Sequence, residues 1–288
     1  MTDDHLQEFC AESATYLRRH IKVNEHVSLQ VITFQSAASE NKPAIVFLPG
    51  WISLMSAWKS VLLDMSRDFT IHYIETREKK SAVVAGRVKY RVEDCARDLA
   101  VIIEQLDLTE DNYILCGSSL GATAIVDGFR FLKQRPRFLA LIGINAEFYI
   151  PHGWLKVVRC FPPAIYLAFK PVIKWYLRRF RLNPDKDQAQ YKKYCDNIDN
   201  ADPYKLKKAA LALAKYTIWE RLAEIQVPTL IFSASHDNLH SQDNIRRIHE
   251  LLPDSRYFDL ETNSRTHSPE MVMVLRDFIS GEGCASRV

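Results

Sequence analysis

The stretch YILCGSSLGATAIV, residues 113–126, places two glycines four positions apart around paired serines, between two apolar runs. A residue on a very sharp turn between a strand and a helix needs neighbours with almost no side chain, because the two elements then approach closely. Gly117 and Gly121 meet this requirement and, with Ser119, give the pattern G-x-S-x-G. Because Ser118 occupies a variable position of the pattern, we expect Ser119 to be the residue that the turn exposes.

The GSSLG turn has two less specific interpretations. A turn of small residues packed against a sheet would tolerate the same sequence. A phosphate-binding loop would need Gly-Lys followed by Ser or Thr, which this stretch lacks. The apolar strand before the turn and the helical pattern after it favour a nucleophile elbow, the strained turn that presents a nucleophilic serine.

Outside this stretch, short apolar runs alternate with helical patterns. Residues 92–106 illustrate a helix, since their apolar positions 92, 95, 96, 99, 103 and 106 share one face. The apolar runs have little polar interruption, as expected of strands covered on both faces. The alternation predicts an α/β fold with a mostly parallel central sheet and helices on both of its faces. The predicted strands are residues 44–48, 70–74, 113–116, 138–144, 229–234 and 256–260.

Two other segments complete the predicted architecture. Ahead of the first core strand, residues 3–20 have the pattern of an amphipathic helix, and residues 27–36 alternate enough to form a strand. Residues 147–225 contain no strand candidate and are instead helical and punctuated by prolines. We therefore expect a core domain, residues 1–146 and 226–288, and an inserted helical cap, residues 147–225.

With these elements the chain resembles the α/β-hydrolase family, from about residue 42 to residue 279, with the helical insert as the cap. The resemblance implies the α/β-hydrolase fold and a cofactor-free serine hydrolase. In this family a serine attacks the substrate, a histidine takes its proton and a carboxylate orients the histidine. The family order of serine, acid and histidine implies Ser119, Asp237 and His267 in this chain.

The acid and the histidine both have alternatives in the sequence. Asp237 could cap the helix that follows it, in which case Asp243 would be the acid. We prefer Asp237 and His267 because both follow predicted strand ends, where the sites of open parallel sheets collect. The other histidines that compete with His267 on residue type are His236, His240 and His249, the last of which falls inside a helical pattern.

The oxyanion formed during acyl transfer needs backbone N–H donors. One donor is expected from Leu120, directly after the serine, and the other from Trp51, in the loop after the first core strand. That loop reads Pro49-Gly50-Trp51, where the family often has His-Gly and an aromatic residue. The chain therefore lacks a side-chain brace on this loop, and the alternative interpretation is a simple turn with a core tryptophan.

A second departure from the family is the stretch ETREKKS, residues 75–81. It looks like the family's D-x-R-G-x-G-x-S loop with both glycines replaced. Because that loop shapes the pocket floor and takes no part in the reaction, we expect the change to alter loop conformation and not activity.

The start of the insert is strongly basic. Residues 148–184 carry seven Lys or Arg and no acid, while the rest of the chain carries 31 basic and 35 acidic residues. Together with large apolar residues, this composition suits a lid over an apolar acyl pocket or a face that meets an anionic membrane surface. Alternatively, the aromatics form the small core of the cap and the cations its solvated side. The residues expected to line the pocket are Trp154, Phe161, Tyr166, Phe169 and Trp175.

Composition argues against several other classes of protein. The net charge of +3 predicts no nucleic-acid partner, and six scattered cysteines without a C-x-x-C pair predict free thiols and no metal site. The first residues lack the basic start and apolar stretch of an export signal, and no apolar run is long enough to span a membrane. We therefore expect a cytoplasmic protein, with peripheral membrane contact as the alternative.

These features predict an enzyme that cleaves a carboxylic ester or thioester, with a hydrophobic acyl group, and that needs no cofactor. The same residues would also serve acyl transfer or hydrolysis of a carbon–carbon bond, because pocket shape selects the acceptor. The alternative from another class is a non-catalytic protein that holds a small ligand beneath the cap.

Overall fold

One mixed β-sheet lies at the centre of the computed structural model, which describes residues 5–110, 112–148, 152–160, 162–185, 187–214, 216–237 and 239–281. Its strands are β1 (Ala14–Asn24), β2 (Val27–Ser36), β3 (Ala44–Leu48), β4 (Ile71–Ile74), β5 (Val83–Val84), β6 (Tyr113–Ser118), β7 (Leu139–Ile142), β8 (Thr229–Ser233) and β9 (Ser255–Asp259). The sheet order is β1-β2-β4-β3-β6-β7-β8-β9, and β5 pairs with β2. The pairs from β4 to β9 are parallel, whereas β2 is antiparallel to both of its long neighbours.

Helices cover both faces of this sheet. The α-helices of the described residues are α1 (Lys59–Met65), α2 (Val92–Gln105), α3 (Leu120–Gly128), α4 (His152–Cys160), α5 (Ile165–Tyr176), α6 (Gln188–Asn200), α7 (Pro203–Leu213), α8 (Gln242–Leu251), α9 (Asn263–Thr266) and α10 (Pro269–Ser280). Those that pack on the two faces of the sheet are α1 and α10 on one face and α2, α3 and α8 on the other. Along β3, Val46 and Leu48 point into a core with α2, α3 and α8, whereas Ile45 and Phe47 point into a second core with α1 and α10. The predicted α/β fold, with a mostly parallel sheet between two helical layers, is confirmed.

The helix predicted over residues 3–20 is wrong. A short 3-10 helix, Gln7–Phe9, lies in its first part, and residues 14–20 belong to β1, which pairs with β2 from Ala14 opposite Ser36 to Asn24 opposite Val27. Along β1, Ile21 is buried whereas Leu17 is 60% exposed. The ladder with a long partner strand satisfies the backbone of β1, and this tertiary pairing overrides the local helical pattern.

The segment between β7 and β8 carries four helices, α4 to α7, in its described part. The side chains of Asp187 and Asp202 cap α6 and α7 by accepting hydrogen bonds from first-turn amides. Helix α5 continues directly into a π-helical turn, Leu177–Arg181. Within the described ranges, every helix falls short of the length or hydropathy that crossing a bilayer requires. The division of the chain into a core and a cap remains a prediction.

Candidate active site

Ser119 lies on the sharp turn between β6, which ends at Ser118, and α3, which begins at Leu120. Its backbone angles are φ 50° and ψ −114°, a conformation that is rare for a residue with a side chain. The Ser119 amide donates to the Ile142 carbonyl at 2.8 Å, which ties the turn to the end of β7. A strained serine between a strand and a helix is the geometry of a nucleophile elbow.

Glycines make this turn sterically possible. A Cβ on Gly121 would lie 2.1 Å from the carbonyl oxygen of Leu48, at the end of β3, so only glycine fits there. A Cβ on Gly117 would lie 2.8 Å from the carbonyl carbon of Gly121. A Cβ on Gly50 would lie 3.3 Å from Ser119 Cβ, which shows that the loop after β3 runs directly beside the elbow.

Asn145 is a partner of the serine hydroxyl that the sequence analysis missed. Its Nδ2 donates to Ser119 Oγ at 3.0 Å, and its backbone carbonyl accepts from Thr123 Oγ1 at 2.8 Å. Asn145 follows β7 at the edge of the sheet where the parallel strands end. A polar side chain just beyond a predicted strand was the available signal, because site residues of such sheets collect at this edge.

A cavity of about 880 Å³ lies over Ser119, between the sheet edge and the helices that connect β7 to β8. Most of its lining is apolar, and Ile173 and Leu206 are examples from α5 and α7. Polar groups converge at one end, where Ser119, His240 and His267 border the space. A large apolar volume with a few convergent polar groups is typical of a small-molecule site.

His267 has both ring nitrogens engaged. Nδ1 lies 2.9 Å from the Asn263 carbonyl, which can only accept, so Nδ1 carries the proton and Nε2 is the acceptor. Lys193 Nζ lies 3.3 Å from Nε2 and also contacts Asn263 Oδ1, while the ring stacks on Trp58 with centroids 3.9 Å apart. Burial and the positive charge of Lys193 hold the pKa of His267 well below its usual value. The imidazole is therefore neutral at pH 7 and able to accept a proton.

Asp237 hydrogen-bonds to a different histidine. Its Oδ2 lies 2.7 Å from His240 Nδ1, and its Oδ1 accepts from the Leu239 amide at 2.9 Å. Burial acts to raise the pKa of Asp237, but the His240 contact and the other donors outweigh it and bring the pKa down to about 2. Among the described residues, no hydrogen bond joins Asp237 to His267; Asn263 lies between them and donates from Nδ2 to Asp237 Oδ2 at 3.4 Å.

The structure thus brings the three predicted catalytic residues to one region without linking them in series. Ser119 and His267 border the large cavity, whereas Asp237 borders a second, smaller cavity that His240 and His267 share. Within the described part of the chain, Ser119 Oγ has no hydrogen bond to either histidine. Asn145 is the side chain that contacts Ser119 Oγ.

The remaining sequence alternatives lie away from both cavities. Asp243 is in the first turn of α8, and His249, near the end of that helix, has Nδ1 2.7 Å from Ser255 Oγ. The amide of His236 donates to the Glu261 carbonyl at 2.8 Å. No group of three or more His, Cys, Asp or Glu suited to a metal ion occurs within the described ranges.

The predicted oxyanion donors, the amides of Trp51 and Leu120, lie on the two sides of the elbow. Leu120 is the first residue of α3, and Trp51 lies in the loop after β3 and borders the large cavity. Neither amide donates to a protein acceptor within the described residues.

Lys79 braces the loop after β3. Its buried Nζ donates to the carbonyls of Gly50 at 3.1 Å and Ser53 at 2.6 Å, and lies 3.7 Å from Glu78 Oε1. Burial lowers the pKa of Lys79, while Glu78 acts to raise it. The lysine stands at a variable position of residues 75–81, between the two positions where the family has glycine, and it supplies a brace on the loop that lacks the family's histidine. Spacing in the sequence gave no signal of this contact.

Helices α6 and α7 contact the same loops. Asn197 Oδ1 in α6 accepts from the Leu54 amide at 3.1 Å. Lys205 Nζ in α7 donates to the carbonyls of Lys79 and Ala82 at 2.6 and 2.8 Å. The loop after β3, the stretch that carries Lys79 and the two helices are therefore joined by side-chain hydrogen bonds.

Two of the aromatic residues predicted to line the pocket border the large cavity. They are Tyr166 and Phe169 of α5, and the Tyr166 hydroxyl donates to the Ile198 carbonyl at 2.8 Å. Trp175 is 59% exposed and packs edge-on against Phe180, because it lies on the opposite face of α5. Phe161 lies outside the described residues, as does the side chain of Trp154.

Comparisons with known proteins agree with the fold. Residues 84–259 match the serine aminopeptidase S33 family. The chain is also 25% identical, over 214 residues, to 3-oxoadipate enol-lactonase 1 of Acinetobacter baylyi. That alignment covers 72% of this chain and 76% of the lactonase.

Solved structures share the fold at lower identity. A hydrolase from Pseudomonas aeruginosa PA01 has a TM-score of 0.75 and 16% identity, over 92% of this chain and 98% of that one. The enol-lactonase from Burkholderia xenovorans LB400 has a TM-score of 0.73 and 18% identity, over 91% of this chain and 98% of that one. These likenesses show the fold, whereas the family match spans more than half of the chain. The chain therefore belongs to the serine aminopeptidase S33 family and is an α/β-hydrolase enzyme.

Proposed function

We propose that this enzyme is a serine hydrolase that cleaves carboxylic esters or thioesters, with Ser119 as its nucleophile. The strained backbone of Ser119, beside a large and mostly apolar cavity, is the observation that carries the proposal. Backbone strain persists where the surrounding structure enforces it, and it clusters at functional sites. Here β6, α3 and the Ile142 carbonyl hold the serine in place.

The proposed reaction proceeds through an acyl-enzyme. Ser119 Oγ attacks the carbonyl carbon while His267 Nε2 takes the hydroxyl proton, and the amides of Trp51 and Leu120 bind the oxyanion. His267 then gives the proton to the departing alcohol or thiol. Water, activated by the same imidazole, hydrolyses the acyl-enzyme and restores Ser119.

Lys193 must move for this reaction to occur. Its Nζ occupies the hydrogen-bonding position at His267 Nε2, which the serine proton has to reach. Lys193 belongs to α6 and borders the large cavity, so a substrate that fills the cavity also contacts it. We therefore propose that substrate binding displaces Lys193 and frees His267 Nε2 to accept the proton.

Asp237 is proposed to stabilise the imidazolium that forms on His267. Its carboxylate stays ionised near pH 7, because its pKa is about 2, and Asn263 already connects the two residues. The direct bond of a catalytic triad would require Asp237 to exchange His240 for His267. The 2.7 Å contact of Asp237 with His240 supports a second assignment, in which His240 is the base.

The apolar lining of the cavity favours a substrate with a hydrophobic acyl group. Its lining is mostly apolar over a volume of about 880 Å³, which exceeds what an acetyl group needs. The similarity to 3-oxoadipate enol-lactonase 1 makes cyclic esters a further part of the proposed substrate range. Acyl transfer and carbon–carbon bond hydrolysis use the same residues, and the acceptor decides among them.

A non-catalytic ligand-binding role is the second candidate. It is favoured by one observation: Ser119, His267 and Asp237 are not joined by hydrogen bonds, and Lys193 covers the proposed base. A ligand would then occupy the same cavity without forming a covalent bond. Reaction of Ser119 with a covalent probe separates the two candidates.

A fluorophosphonate probe is expected to label the native protein at Ser119. The Ser119→Ala variant should lose labelling and about a thousandfold or more of esterase kcat. The Ser118→Ala variant, one position away, should keep most of both. Peptide mapping by mass spectrometry identifies the labelled residue. Absence of an adduct on the native protein would favour the ligand-binding candidate.

Separate substitution of His267 and His240 distinguishes their roles. His267→Gln is expected to lower kcat/KM by about a thousandfold, because the general base is lost. His240→Gln should cost about tenfold or less, since it frees Asp237 to turn toward His267. Steady-state kinetics on a nitrophenyl ester measure both variants. The reverse order of effects would assign the base to His240.

Lengthening the acyl chain is expected to raise kcat/KM. Each methylene buried in the apolar cavity adds up to about 0.8 kcal/mol, so a butanoate ester, with two more methylenes, should exceed the acetate by up to about fifteenfold. Ala210→Phe, which fills part of the cavity wall, should reduce the rate for octanoate more than for acetate. Nitrophenyl esters of two, four and eight carbons provide the assay. A preference for acetate over all longer esters would contradict a hydrophobic acyl pocket.

Loss of the Lys79 brace is expected to impair the oxyanion site. Lys79→Met should lower kcat by about 10- to 100-fold with little change in KM, because the loop that carries Trp51 loses its two anchoring hydrogen bonds. Lys80→Met is the matched control, since Lys80 is the exposed neighbour. Unchanged kcat in a folded Lys79→Met variant would show that the loop does not need this brace.

A further inference from the structure

Helix α5 presents two apolar faces, and only one of them lines the cavity. The inner face consists of Tyr166, Phe169, Ile173 and Tyr176, which recur at the spacing of one helical face and all border the cavity. Their apolar character is explained by the proposed substrate pocket. The opposite face has no such explanation.

The outer face of α5 is apolar along its whole length. Its members recur at intervals of three and four residues, so they form one stripe, and all are exposed. Leu167 is 56% exposed, Val172 44% and Trp175 59%. Phe180, in the π-helical turn that follows, is 58% exposed. The members of the outer face are Ala164, Leu167, Ala168, Pro171, Val172 and Trp175.

Such a stripe is unusual on a protein surface that meets only water. Single exposed apolar residues are common, but contiguous apolar patches mark sites of association with another surface. The stripe contains no polar residue, and Trp175 is the kind of side chain that prefers the boundary between water and lipid.

Positive charge borders the outer face at its C-terminal end and along one side. Arg178 and Arg179 are exposed in the turn that follows Trp175, and residues 148–184 contain no acid. Lys170 and Lys174 flank the stripe and bind Asp199 of α6, at 2.7 Å through its carbonyl and 2.6 Å through its carboxylate. The apolar stripe therefore ends in a cationic patch, and residues 148–184 supply no acid to neutralise it.

We propose that the outer face of α5 binds the surface of an anionic lipid bilayer. The apolar stripe would insert at the level of the acyl boundary, and Arg178 and Arg179 would contact negative headgroups. A symmetric contact with a second copy of the chain is disfavoured, because residues 148–184 of neither copy contain an acid that could pair with Arg178 and Arg179.

This placement gives α5 one face toward lipid and one toward the cavity. An amphiphilic ester leaving the bilayer would then have a short path to the site, a consequence that rests on the proposed function. The binding itself does not depend on Ser119, so Ser119→Ala should bind membranes like the native protein. Failure of lipid binding and failure of catalysis are thus separate outcomes.

Co-flotation with liposomes tests the proposal. The native protein is expected to float with vesicles of phosphatidylcholine containing roughly one third phosphatidylserine, and much less with phosphatidylcholine alone. Raising the salt concentration should weaken the binding, because headgroup attraction is screened. No flotation with the anionic vesicles, or equal flotation with both, would overturn it.

Exposed substitutions locate the binding face. Leu167→Asp and Trp175→Asp should each weaken binding by about tenfold or more, since a charge would have to enter the interface. Each of Arg178→Ala and Arg179→Ala should weaken it roughly fivefold. Leu251→Asp is the matched control, because Leu251 is a 46% exposed leucine on α8. Equal losses from Leu251→Asp and Leu167→Asp would exclude the outer face as the binding surface.

Sedimentation without lipid tests for a second copy as the occupant. The native protein is expected to stay monomeric at micromolar concentration. A dimer that Leu167→Asp dissociates, together with no flotation, would assign the outer face to self-association and overturn the proposal.

Discussion

The contact between Gly121 and the carbonyl oxygen of Leu48 is the constraint on which the candidate site depends. Since no Cβ fits at Gly121, the first turn of α3 lies directly against the end of β3. This contact places the strained Ser119 beside the loop that carries Trp51. The contact is between backbone atoms, so the packing of α3 on β3 holds the Ser119 turn beside the loop that carries Trp51. The surrounding side chains give additional support.

Buried polar groups supply those supports. The Arg77 guanidinium bonds the Asp98 carboxylate at 2.7 Å and fixes residues 75–81 against α2. Burial raises the pKa of Asp98 to about 6, although Arg77 acts to lower it. From this anchored stretch Lys79 reaches the Gly50 carbonyl. Arg77 and Lys79 both donate to carboxylate or carbonyl oxygens, and these hydrogen bonds offset the cost of burying the two cations.

Most of the fold and part of the candidate site could be predicted from the sequence. The elbow at Ser119 was predictable because its glycines and flanking apolar runs are local signals. Strand β1 was not, because its pattern is irregular and pairing with β2 decides its conformation. The contacts of Lys79 could not be predicted either, since they depend on how loops distant in sequence pack, whereas the position of Asn145 just beyond a predicted strand was a usable signal. Trp175 failed as a pocket residue because composition does not reveal which face of a helix points inward.

The hydrogen bonds from α6 and α7 to the loop after β3 and to residues 79–82 limit which positions of these helices can change during evolution. Asn197 and Lys205 donate to or accept from the backbone of those loops, whereas Leu206 borders the cavity without a side-chain hydrogen bond to them. Substitution is therefore constrained at Asn197 and Lys205 and permitted at Leu206. Exchange of a cavity-wall residue such as Leu206 therefore changes the shape of the cavity while the hydrogen bonds that hold α6 and α7 over the sheet edge stay in place.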